Sequence, residues 1–512
     1  MSPGPSSSAE DIRSNSQSSP LARDRPPSRG GRTGGALFPL GYKEGLSQWW
    51  ASVSPEVAEA QVLSFLPFNT LPIPSTSTAT ANTAPTSTSP REPDPYGPRE
   101  CTSTLVQLSG KNRAINEFAV TRTAETKEED LVVLHGYGAG LGFFYRNFDH
   151  LSRRPGWKLW ALDLLGMGRS SRPPFKIHAT QKEDKIREAE EWFIDALEEW
   201  RIKRGLDRFT LLGHSLGGYL ATCYTLKYPG RVKKLILASP VGIPEDPFAT
   251  KEPLPENPPK DQSHPPPPPS GVEAELLHPQ DEMLKPPAPN TSSVSLPSPP
   301  TSTSTTTTSK PPARRIPKWV TYLWEANISP FSLVRWSGPL GPRLVSGWTS
   351  RRFSHLPQAE STALHTYAYS LFRQRGSGEY ALAFLLAPGA YARNPLIWRI
   401  GKVNIPTVLM YGEVDWMDVA GGYAAVEAIR SEGVRRDKDG WLGGKDWIGD
   451  RKERERRGGE AREGRKGGGE AKVLIVAGAG HHVYLDGWRE FNDMITREME
   501  DVEERERRRG RG

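Results

Sequence analysis

Short apolar runs alternate with helix-like segments between Leu131 and Pro240. Four such runs are bounded by turn residues: LVVL (131–134), KLWALD (158–163), FTLLG (209–213) and KLILAS (234–239). Between the second and third runs, apolar residues recur at helical spacing from Glu183 to Arg204. Short, continuous apolar strands alternating with helices are typical of a parallel sheet covered on both faces.

The same pattern returns near the end of the chain. PTVLMYGEVD (406–415) and KVLIVAGAG (472–480) each predict a further strand, and a helix pattern follows the second. Aromatic residues and helical patterns fill residues 318–395 and predict a helical cap. The predicted fold class is therefore α/β, a mostly parallel sheet with helices on both faces and a cap.

Composition explains where the pattern breaks. Apolar residues make up 36% of the 512 positions, below the ~45–50% of ordinary globular domains. Residues 247–317 hold 20 of the 48 prolines and bury too little apolar surface to offset chain entropy, which predicts a disordered insertion within the cap region. Residues 433–470 hold 12 basic, nine acidic and 11 glycine residues, which predicts a solvated, charged insertion.

These breaks predict an order of segments along the chain. The order is a disordered segment that is a candidate for targeting (1–45), an amphipathic Trp-bearing helix (46–68), a linker (69–100), the core (101–246), the first insertion (247–317), the cap (318–395), more core (396–432), the second insertion (433–470), the last part of the core (471–500) and a basic tail (501–512).

The N-terminal region leaves two pairs of alternatives open. Residues 1–35 contain five Arg against three acidic residues and many Ser, which resembles a mitochondrial transit peptide, while their prolines fit plain disorder equally well. We predict a mitochondrial location, with the cytoplasm or a lipid droplet as alternatives. Trp49 and Trp50 fit either a helix packed on the domain or a foot on a lipid surface.

Net charge does not indicate a nucleic-acid partner. The formal charge is +7, but the second insertion carries a surplus of three basic residues and residues 505–512 a surplus of four. The rest of the chain is formally neutral, so no basic folded face is predicted. The sequence leaves the oligomeric state unknown.

Residue usage also narrows the chemistry. Two cysteines, Cys101 and Cys223, are too few for a disulfide scaffold. His and Cys residues do not cluster at metal-ligand spacing, so we expect neither a metal nor a cofactor. No run of 18 apolar residues occurs, so any membrane contact is expected to be peripheral.

The strongest chemical motif is Gly213-His214-Ser215-Leu216-Gly217, which follows the strand FTLL and precedes a helix pattern. This is G-x-S-x-G in the strand–turn–helix context that presents a nucleophilic serine. Gly213 and Gly217 leave room for the sharp turn, and the helix N-terminus favours negative charge nearby. The sequence predicts Ser215 as a nucleophile.

A Gly-rich turn follows the strand LVVL and begins His135-Gly136-Tyr137-Gly138. Such a turn can point a backbone N–H at the oxyanion of an acyl-transfer intermediate. The predicted donors are the N–H groups of Tyr137 and Leu216, and His135 and Gly136 support the turn.

A histidine and two carboxylates follow later strands. His481 comes after the last strand, and Asp415 and Asp418 come after PTVLMYG. The order Ser, Asp, His along the chain is the one expected of serine hydrolases with this strand pattern. We predict that His481 accepts the Ser215 proton and that Asp415 orients His481, with Asp418 as the rival acid.

Together these motifs resemble the α/β-hydrolase superfamily. They are most similar to its lipid-acting branch, which includes the lipid-droplet lipase coactivator and the fungal mitochondrial cardiolipin-specific deacylase. The stretches DLLGMGRS (163–170) and GAGHHVYLD (478–486) add to the resemblance. The second contains H-x-x-x-x-D, from His481 to Asp486, which this branch associates with lysophospholipid acyl transfer. A helix cap or support of the histidine loop is the other interpretation of Asp486.

The resemblance implies a serine-dependent acyl-ester hydrolase with the α/β-hydrolase fold. Its expected substrate is a glycerophospholipid, with cardiolipin as a candidate, at a membrane or lipid-droplet surface. The alternatives are a lysophospholipid acyltransferase using the same site and a non-catalytic lipase cofactor. The lipase coactivator lacks the serine of the motif, so Ser215 favours an enzyme. An epoxide hydrolase would need Asp at position 215.

Overall fold

The computed structural model describes residues 39–69, 71–74, 94–245, 318–435 and 469–510. The start of the predicted targeting segment, most of the linker and nearly all of both insertions lie outside the described residues. Predictions about those segments stay predictions.

An eight-stranded sheet forms the centre of the described fold, in the order β1-β2-β4-β3-β5-β6-β9-β10. Strand β2 is antiparallel to both β1 and β4, and the neighbours from β4 through β10 are parallel. This confirms the predicted fold class. The strands, with β7 and β8 as a separate hairpin, are β1 (Arg99–Gln107), β2 (Ala114–Arg122), β3 (Glu129–Leu134), β4 (Trp157–Leu162), β5 (Phe209–His214), β6 (Val232–Ala238), β7 (Leu386–Ala387), β8 (Tyr391–Ala392), β9 (Thr407–Gly412) and β10 (Ala471–Val476).

Helices cover both faces of the sheet and build the cap. They are α1 (Tyr42–Ala51), α2 (Pro55–Leu63), α3 (Tyr145–Leu151), α4 (Lys182–Lys203), α5 (Leu216–Lys227), α6 (Lys318–Glu325), α7 (Pro330–Trp336), α8 (Gly341–Arg352), α9 (Gln358–Phe372), α10 (Leu382–Leu385), α11 (Val419–Arg435), α12 (Val483–Asp486) and α13 (Trp488–Arg509). Helices α6 to α10 form the cap where the sequence predicts it.

Each central strand contributes to two apolar cores because successive strand residues point to opposite faces. In β5, Leu211 packs with Trp200 of α4 in one core. Its neighbour Leu212 packs with Phe148 of α3 and Phe491 of α13 in the other. All of these residues are buried. Because the strands from β4 to β10 in the sheet order run parallel, their carboxyl ends lie at one edge of the sheet.

Strands β1 and β2 lie where the sequence shows no strand signal. Most side chains of β1 are exposed and polar, as on an edge strand, so no continuous apolar run marks it. Strand β2 is buried but includes Asn116 and Glu117. The linker predicted for residues 69–100 therefore extends two residues too far, because β1 begins at Arg99.

The single helix predicted for residues 46–68 is wrong, since two helices occupy this region. Helix α1 ends at Ala51, and the following residue Ser52 adopts a left-handed φ of 50°. Ser54 then caps α2 by accepting a hydrogen bond from the Val57 N–H at 3.3 Å, and Pro55 occupies the first helical position. Proline is favoured at that position and disfavoured inside a helix, so the chain breaks there.

The basic tail predicted for residues 501–512 is wrong for residues 501–509, because α13 continues to Arg509. Glu503 accepts hydrogen bonds from Arg154 at 2.6 Å and from the Trp157 indole at 2.7 Å. Val502 is buried in the core, so this segment is part of the folded domain.

Candidate active site

Ser215 lies at the turn between β5 and α5. Its φ of 52° and ψ of −116° form a strained conformation for a residue with a side chain. The Ser215 N–H donates to the Ala238 carbonyl at 2.9 Å, and the Ser215 carbonyl accepts from Gly218 and Tyr219 at 3.0 and 3.1 Å. These backbone hydrogen bonds hold the serine in its strained turn at the edge of the sheet.

The two glycines of the motif are required for close backbone contact. A Cβ on Gly217 would lie 2.6 Å from the His135 carbonyl oxygen and 2.7 Å from that of Leu134. A Cβ on Gly213 would collide with the Gly217 carbonyl. Helix α5 therefore packs on the ends of β3 and β5 at a distance that no side chain permits.

His481 bridges Ser215 and Asp415. Its Nε2 atom lies 3.1 Å from the Ser215 Oγ, and its Nδ1 lies 3.3 Å from an Asp415 oxygen. These partners assign the tautomer with hydrogen on Nδ1, which donates to Asp415 and leaves Nε2 to accept from the serine hydroxyl. The structure brings together the predicted nucleophile, base and acid.

Asp415 is built to remain ionised although its side chain is fully buried. Burial raises the pKa of this carboxyl, but hydrogen bonds from His481, the Ser239 hydroxyl and the Met417 N–H outweigh burial and lower the pKa below its usual value. The carboxylate can therefore offset positive charge on His481.

The structure does not bring the rival acid Asp418 to His481. Asp418 is exposed and accepts a hydrogen bond from the Ala420 N–H at 2.9 Å. It lies next to the first residue of α11, where a carboxylate caps the free N–H groups of the helix.

The predicted oxyanion turn lies directly against Ser215. A Cβ on Gly136 would be 3.0 Å from the Ser215 Cβ and 2.9 Å from the His214 Nδ1, so Tyr137 follows at the edge of the site. Leu216 is the first residue of α5, and N–H groups in the first turn of a helix have no intrahelical acceptor. The positions of both residues suit the predicted donors.

His135 supports this turn as a neutral imidazole. Its Nδ1 donates to the Gly136 carbonyl at 2.7 Å, and its Nε2 accepts from the Leu164 N–H at 3.0 Å. Complete burial lowers the pKa of His135. The ring therefore connects the turn after β3 to the loop after β4.

Two residues that support the site carried no clear sequence signal. His214 donates from Nε2 to the His481 carbonyl at 3.0 Å, and burial holds the pKa of His214 well below its usual value. Ser239 donates to Asp415. Both lie just after or at a strand end, but only the folded sheet places them beside the histidine loop.

Asp486 connects the histidine loop to the cap. It pairs with Arg352 of α8 at 3.1 Å and accepts a hydrogen bond from the Gly480 N–H at 3.2 Å. His355 lies 3.7 Å from the same carboxylate. The sequence left two interpretations of Asp486, a role in acyl transfer or support of the histidine loop. These contacts match support of the loop, and the partners found for Asp486 do not include Ser215.

The described residues contain no group of three or more His, Cys, Asp or Glu side chains that could hold a metal ion. Within them, no helix is both long and apolar enough to span a membrane.

Comparison with known proteins gives consistent matches. The family model described as alpha/beta hydrolase fold matches residues 131–440. A probable 1-acylglycerol-3-phosphate O-acyltransferase of Oryza sativa subsp. japonica is 35% identical over 63% of this chain, which spans 64% of that relative. A 1-acylglycerol-3-phosphate O-acyltransferase of Sus scrofa is 30% identical over 71% of this chain and 75% of its own length. A (lyso)-N-acylphosphatidylethanolamine lipase of Bos taurus is 28% identical over 78% of this chain and 86% of its own.

Proposed function

Because the chain belongs to the α/β-hydrolase family, we propose that it is a serine-dependent acyl-ester hydrolase acting on glycerophospholipids. The observation that carries this proposal is the hydrogen-bonded series from Ser215 through His481 to the buried Asp415. A serine, a base and an orienting acid in this arrangement are what acyl transfer requires.

The first half of the reaction forms an acyl-enzyme. The Ser215 Oγ attacks the ester carbonyl while its proton passes to the His481 Nε2, and Asp415 stabilises the imidazolium. The N–H groups of Tyr137 and Leu216 stabilise the oxyanion. The C–O bond then breaks, and the alcohol leaves with the proton from His481.

The second half decides between hydrolysis and transfer. Water that gives a proton to His481 attacks the acyl-enzyme, the bond between the acyl carbon and the Ser215 Oγ breaks, and His481 returns the proton to the serine as the fatty acid leaves. If the hydroxyl of a lysophospholipid attacks instead, the same residues carry out acyl transfer. The names of the rice and pig relatives, both O-acyltransferases, favour this second candidate. Asp486 contributes by holding the loop of His481 through Gly480 and Arg352.

A phospholipid substrate is supported by the relatives and by an apolar surface. All three relatives carry names that refer to glycerophospholipids or their lyso forms. Helix α1 packs on α8, where the Arg343 guanidinium lies 3.5 Å from the centre of the Tyr42 ring. The outer side of α1 nevertheless exposes 80% of Trp50 and 50% of Leu46.

The cap extends this apolar surface. Leu340 is exposed in the turn 338–340 that α1 contacts, and the exposed Trp336 ends α7 just before that turn. Exposed tryptophans on an amphipathic helix favour peripheral binding to a lipid interface, so we place the substrate at a membrane or lipid-droplet surface. We extend the proposal to a mitochondrial location, because residues 1–35 contain five Arg against three acidic residues, and to cardiolipin as a candidate substrate.

The test is fatty-acid release from vesicles of single phospholipids, including cardiolipin and an N-acylphosphatidylethanolamine. The wild type should release fatty acid from at least one lipid, and Ser215→Ala should abolish release. A fluorophosphonate probe should label the wild type and leave Ser215→Ala unlabelled, because the probe reacts with an activated serine.

Ser354→Ala is the matched control, since Ser354 is an exposed serine that hydrogen-bonds the Arg351 carbonyl in the cap. Equal release by wild type and Ser215→Ala, or no release from any lipid together with no probe labelling, would contradict the enzyme proposal. Stimulation of a partner lipase by both proteins would then identify a non-catalytic cofactor.

A further inference from the structure

Trp416 contacts the catalytic base directly. It follows Asp415 in the loop after β9, and its ring centre lies 5.0 Å from that of the His481 imidazole, with 50° between the two ring planes. Within the part of the chain that the structure describes, this is the one ring contact of Trp416. The indole therefore lies against the group that takes the serine proton.

Neither core packing nor hydrogen bonding explains the position of this indole. Large aromatic side chains usually contribute to a fold through burial in a core. Met417 and Val419 pack against one apolar core, but Trp416 packs against neither core of the described fold. The side chain is partly exposed, and its ring N–H donates no hydrogen bond to the described residues. The contact with the imidazole is what its position provides.

Hydrogen bonds on both sides of Trp416 hold its loop against the histidine loop. The Val414 N–H donates to the Ala479 carbonyl at 3.0 Å, which joins the two loops just before Trp416. The Met417 N–H donates to the Asp415 carboxylate at 3.0 Å, which closes the turn around Trp416. The distance between the indole and the imidazole is therefore set by two loops that are bonded to each other.

The other rings around His481 are neutral imidazoles. The ring centres of His214 and His482 lie 4.9 and 5.4 Å from that of His481. Burial holds the pKa of both histidines well below its usual value, and positive charge on His481 lowers it further. Both rings therefore stay uncharged when His481 accepts a proton, and neither can offset its charge.

The charge that develops on His481 is met by one carboxylate and by the indole. Asp415 lies 3.3 Å from the Nδ1 of His481, while the nearby cation Arg352 is paired with Asp486 at 3.1 Å. The electron-rich face of an indole attracts a cation within about 6 Å, and more strongly where water is excluded. Trp416 is within this distance, and His481 is only 8% exposed.

We propose that Trp416 is a positioning residue for His481 that stabilises the imidazolium formed when His481 accepts the Ser215 proton. The inference rests on the proposed function, because that imidazolium arises as the serine attacks the ester. An interaction that is stronger in the transition state than in the ground state raises kcat and leaves KM nearly unchanged. Trp416 then adds an aromatic support to the series of Ser215, His481 and Asp415.

The kinetic test uses Trp416→Leu, which removes the ring, and Trp416→Phe, which keeps one. With a soluble p-nitrophenyl ester, Trp416→Leu should lower kcat about fivefold and keep KM within about twofold, and Trp416→Phe should recover most of the loss. Trp398→Leu is the control, because Trp398 is 42% exposed and donates its hydrogen bond to Glu245. Equal losses in Trp416→Leu and Trp416→Phe, or a change confined to KM, would overturn the proposal.

An NMR titration separates this inference from the proposed function, since it needs no turnover. The full-length protein is labelled with ¹³C at the histidine Cε1, and the His481 resonance is the one that His481→Gln removes. In Trp416→Leu its titration midpoint should move to lower pH by about half a unit, because the charged ring loses stabilisation. Trp398→Leu should keep the wild-type midpoint.

The two experiments have distinguishable failures. A lower midpoint in Trp416→Leu, in a protein that cleaves no ester, would refute the proposed function and support the contact between the indole and the imidazolium. An unchanged midpoint in Trp416→Leu would overturn the inference, even if the wild type is an active hydrolase.

Discussion

Asp415 and Asp418 are three residues apart, yet their surroundings give them different roles. Asp415 is enclosed by His481, Ser239 and the Met417 N–H, while Asp418 faces solvent at the start of α11. The difference arises from the turn that follows β9, which directs one carboxylate inward and the other outward.

Asp415→Asn should lower kcat by roughly 10³–10⁴-fold, because an amide cannot hold the imidazole tautomer or stabilise the imidazolium. Asp418→Asn should stay within about twofold of the wild type, since solvent-exposed positions away from such networks tolerate change. Hydrolysis of a soluble p-nitrophenyl ester measures both. A large loss in Asp418→Asn with normal Asp415→Asn would show that the acid is misassigned.

Gly217→Ala should damage the site without removing a reactive group. The added Cβ would meet the His135 and Leu134 carbonyls at 2.6 and 2.7 Å, and both are backbone atoms that cannot rotate away. We expect a loss of roughly 1–3 kcal/mol in the free energy of unfolding and weak fluorophosphonate labelling. Gly510→Ala, where a Cβ would lie 3.6 Å from its nearest neighbour, should match the wild type in urea denaturation; an equal loss there would refute the steric explanation.

Helix α2 carries a buried carboxylate that connects it to the rest of the fold. Glu59 is fully buried and pairs with Arg169 at 2.5 Å, while Tyr367 of α9 donates to it at 3.2 Å. Asn116 bridges it to the buried Asp163. The helix before the core is therefore joined to the cap and to the loop after β4 by one polar cluster.

The cluster should make stability depend on pH. Burial and the nearby Asp163 raise the pKa of Glu59 from 4.5 to about 7. Between these two pH values Glu59 is protonated in the folded protein but ionised in the unfolded chain. The contribution of protonated Glu59 to the free energy of unfolding is therefore full below about pH 4.5 and is lost as pH rises through about 7. Glu59→Gln should flatten this part of the dependence.

Urea unfolding at pH 5 and pH 8 measures this effect as the difference between the two free energies of unfolding. Glu56→Gln is the matched control, since Glu56 is an exposed residue of the same helix and its substitution should keep the wild-type difference. If Glu59→Gln keeps the wild-type difference as well, ionisation of Glu59 does not set the pH dependence.

For the molecule as a whole, the exposed side of α1 is the surface expected to meet lipid. Trp50→Ser should weaken binding to anionic phospholipid vesicles roughly tenfold, because burial of a large apolar side chain contributes about 1.5–3 kcal/mol. Vesicle co-sedimentation measures this change. Ile202→Ser is the control, as Ile202 is 60% exposed on α4; a similar loss in the control would mean that binding has no preferred face.

The ends of the parallel strands can be predicted from the sequence, whereas features that depend on contacts across the fold cannot. The runs that predict β3 to β6 and β9 are recognisable because parallel strands buried on both faces need continuous apolar residues. Strand β10 has such a run as well, although it lies at the sheet edge and is partly exposed. Strand β1 lacks this signal because one edge of the sheet is open to solvent. The break between Ser52 and Pro55 cannot be recognised from the apolar pattern, because helical spacing continues across it.

The same division applies to the candidate site. Ser215, His481 and the oxyanion turn follow strands, and strand ends can be predicted from local pattern. The stacking of Tyr137 on Phe331 cannot, because it depends on a cap segment meeting the turn after β3. The partner of Asp486 is likewise a cap residue, Arg352, 134 positions away along the chain.

The distance along the chain between Ser215 and His481 has a consequence for folding. The two residues are separated by 266 positions, and His481 follows β10, an edge strand paired with β9. Contacts this far apart form slowly, because a long loop must close before they stabilise anything. During synthesis or refolding, the serine turn can therefore assemble well before the base arrives. Ser215 should therefore become reactive last, so the time course of its covalent labelling during refolding should report when the sheet is complete.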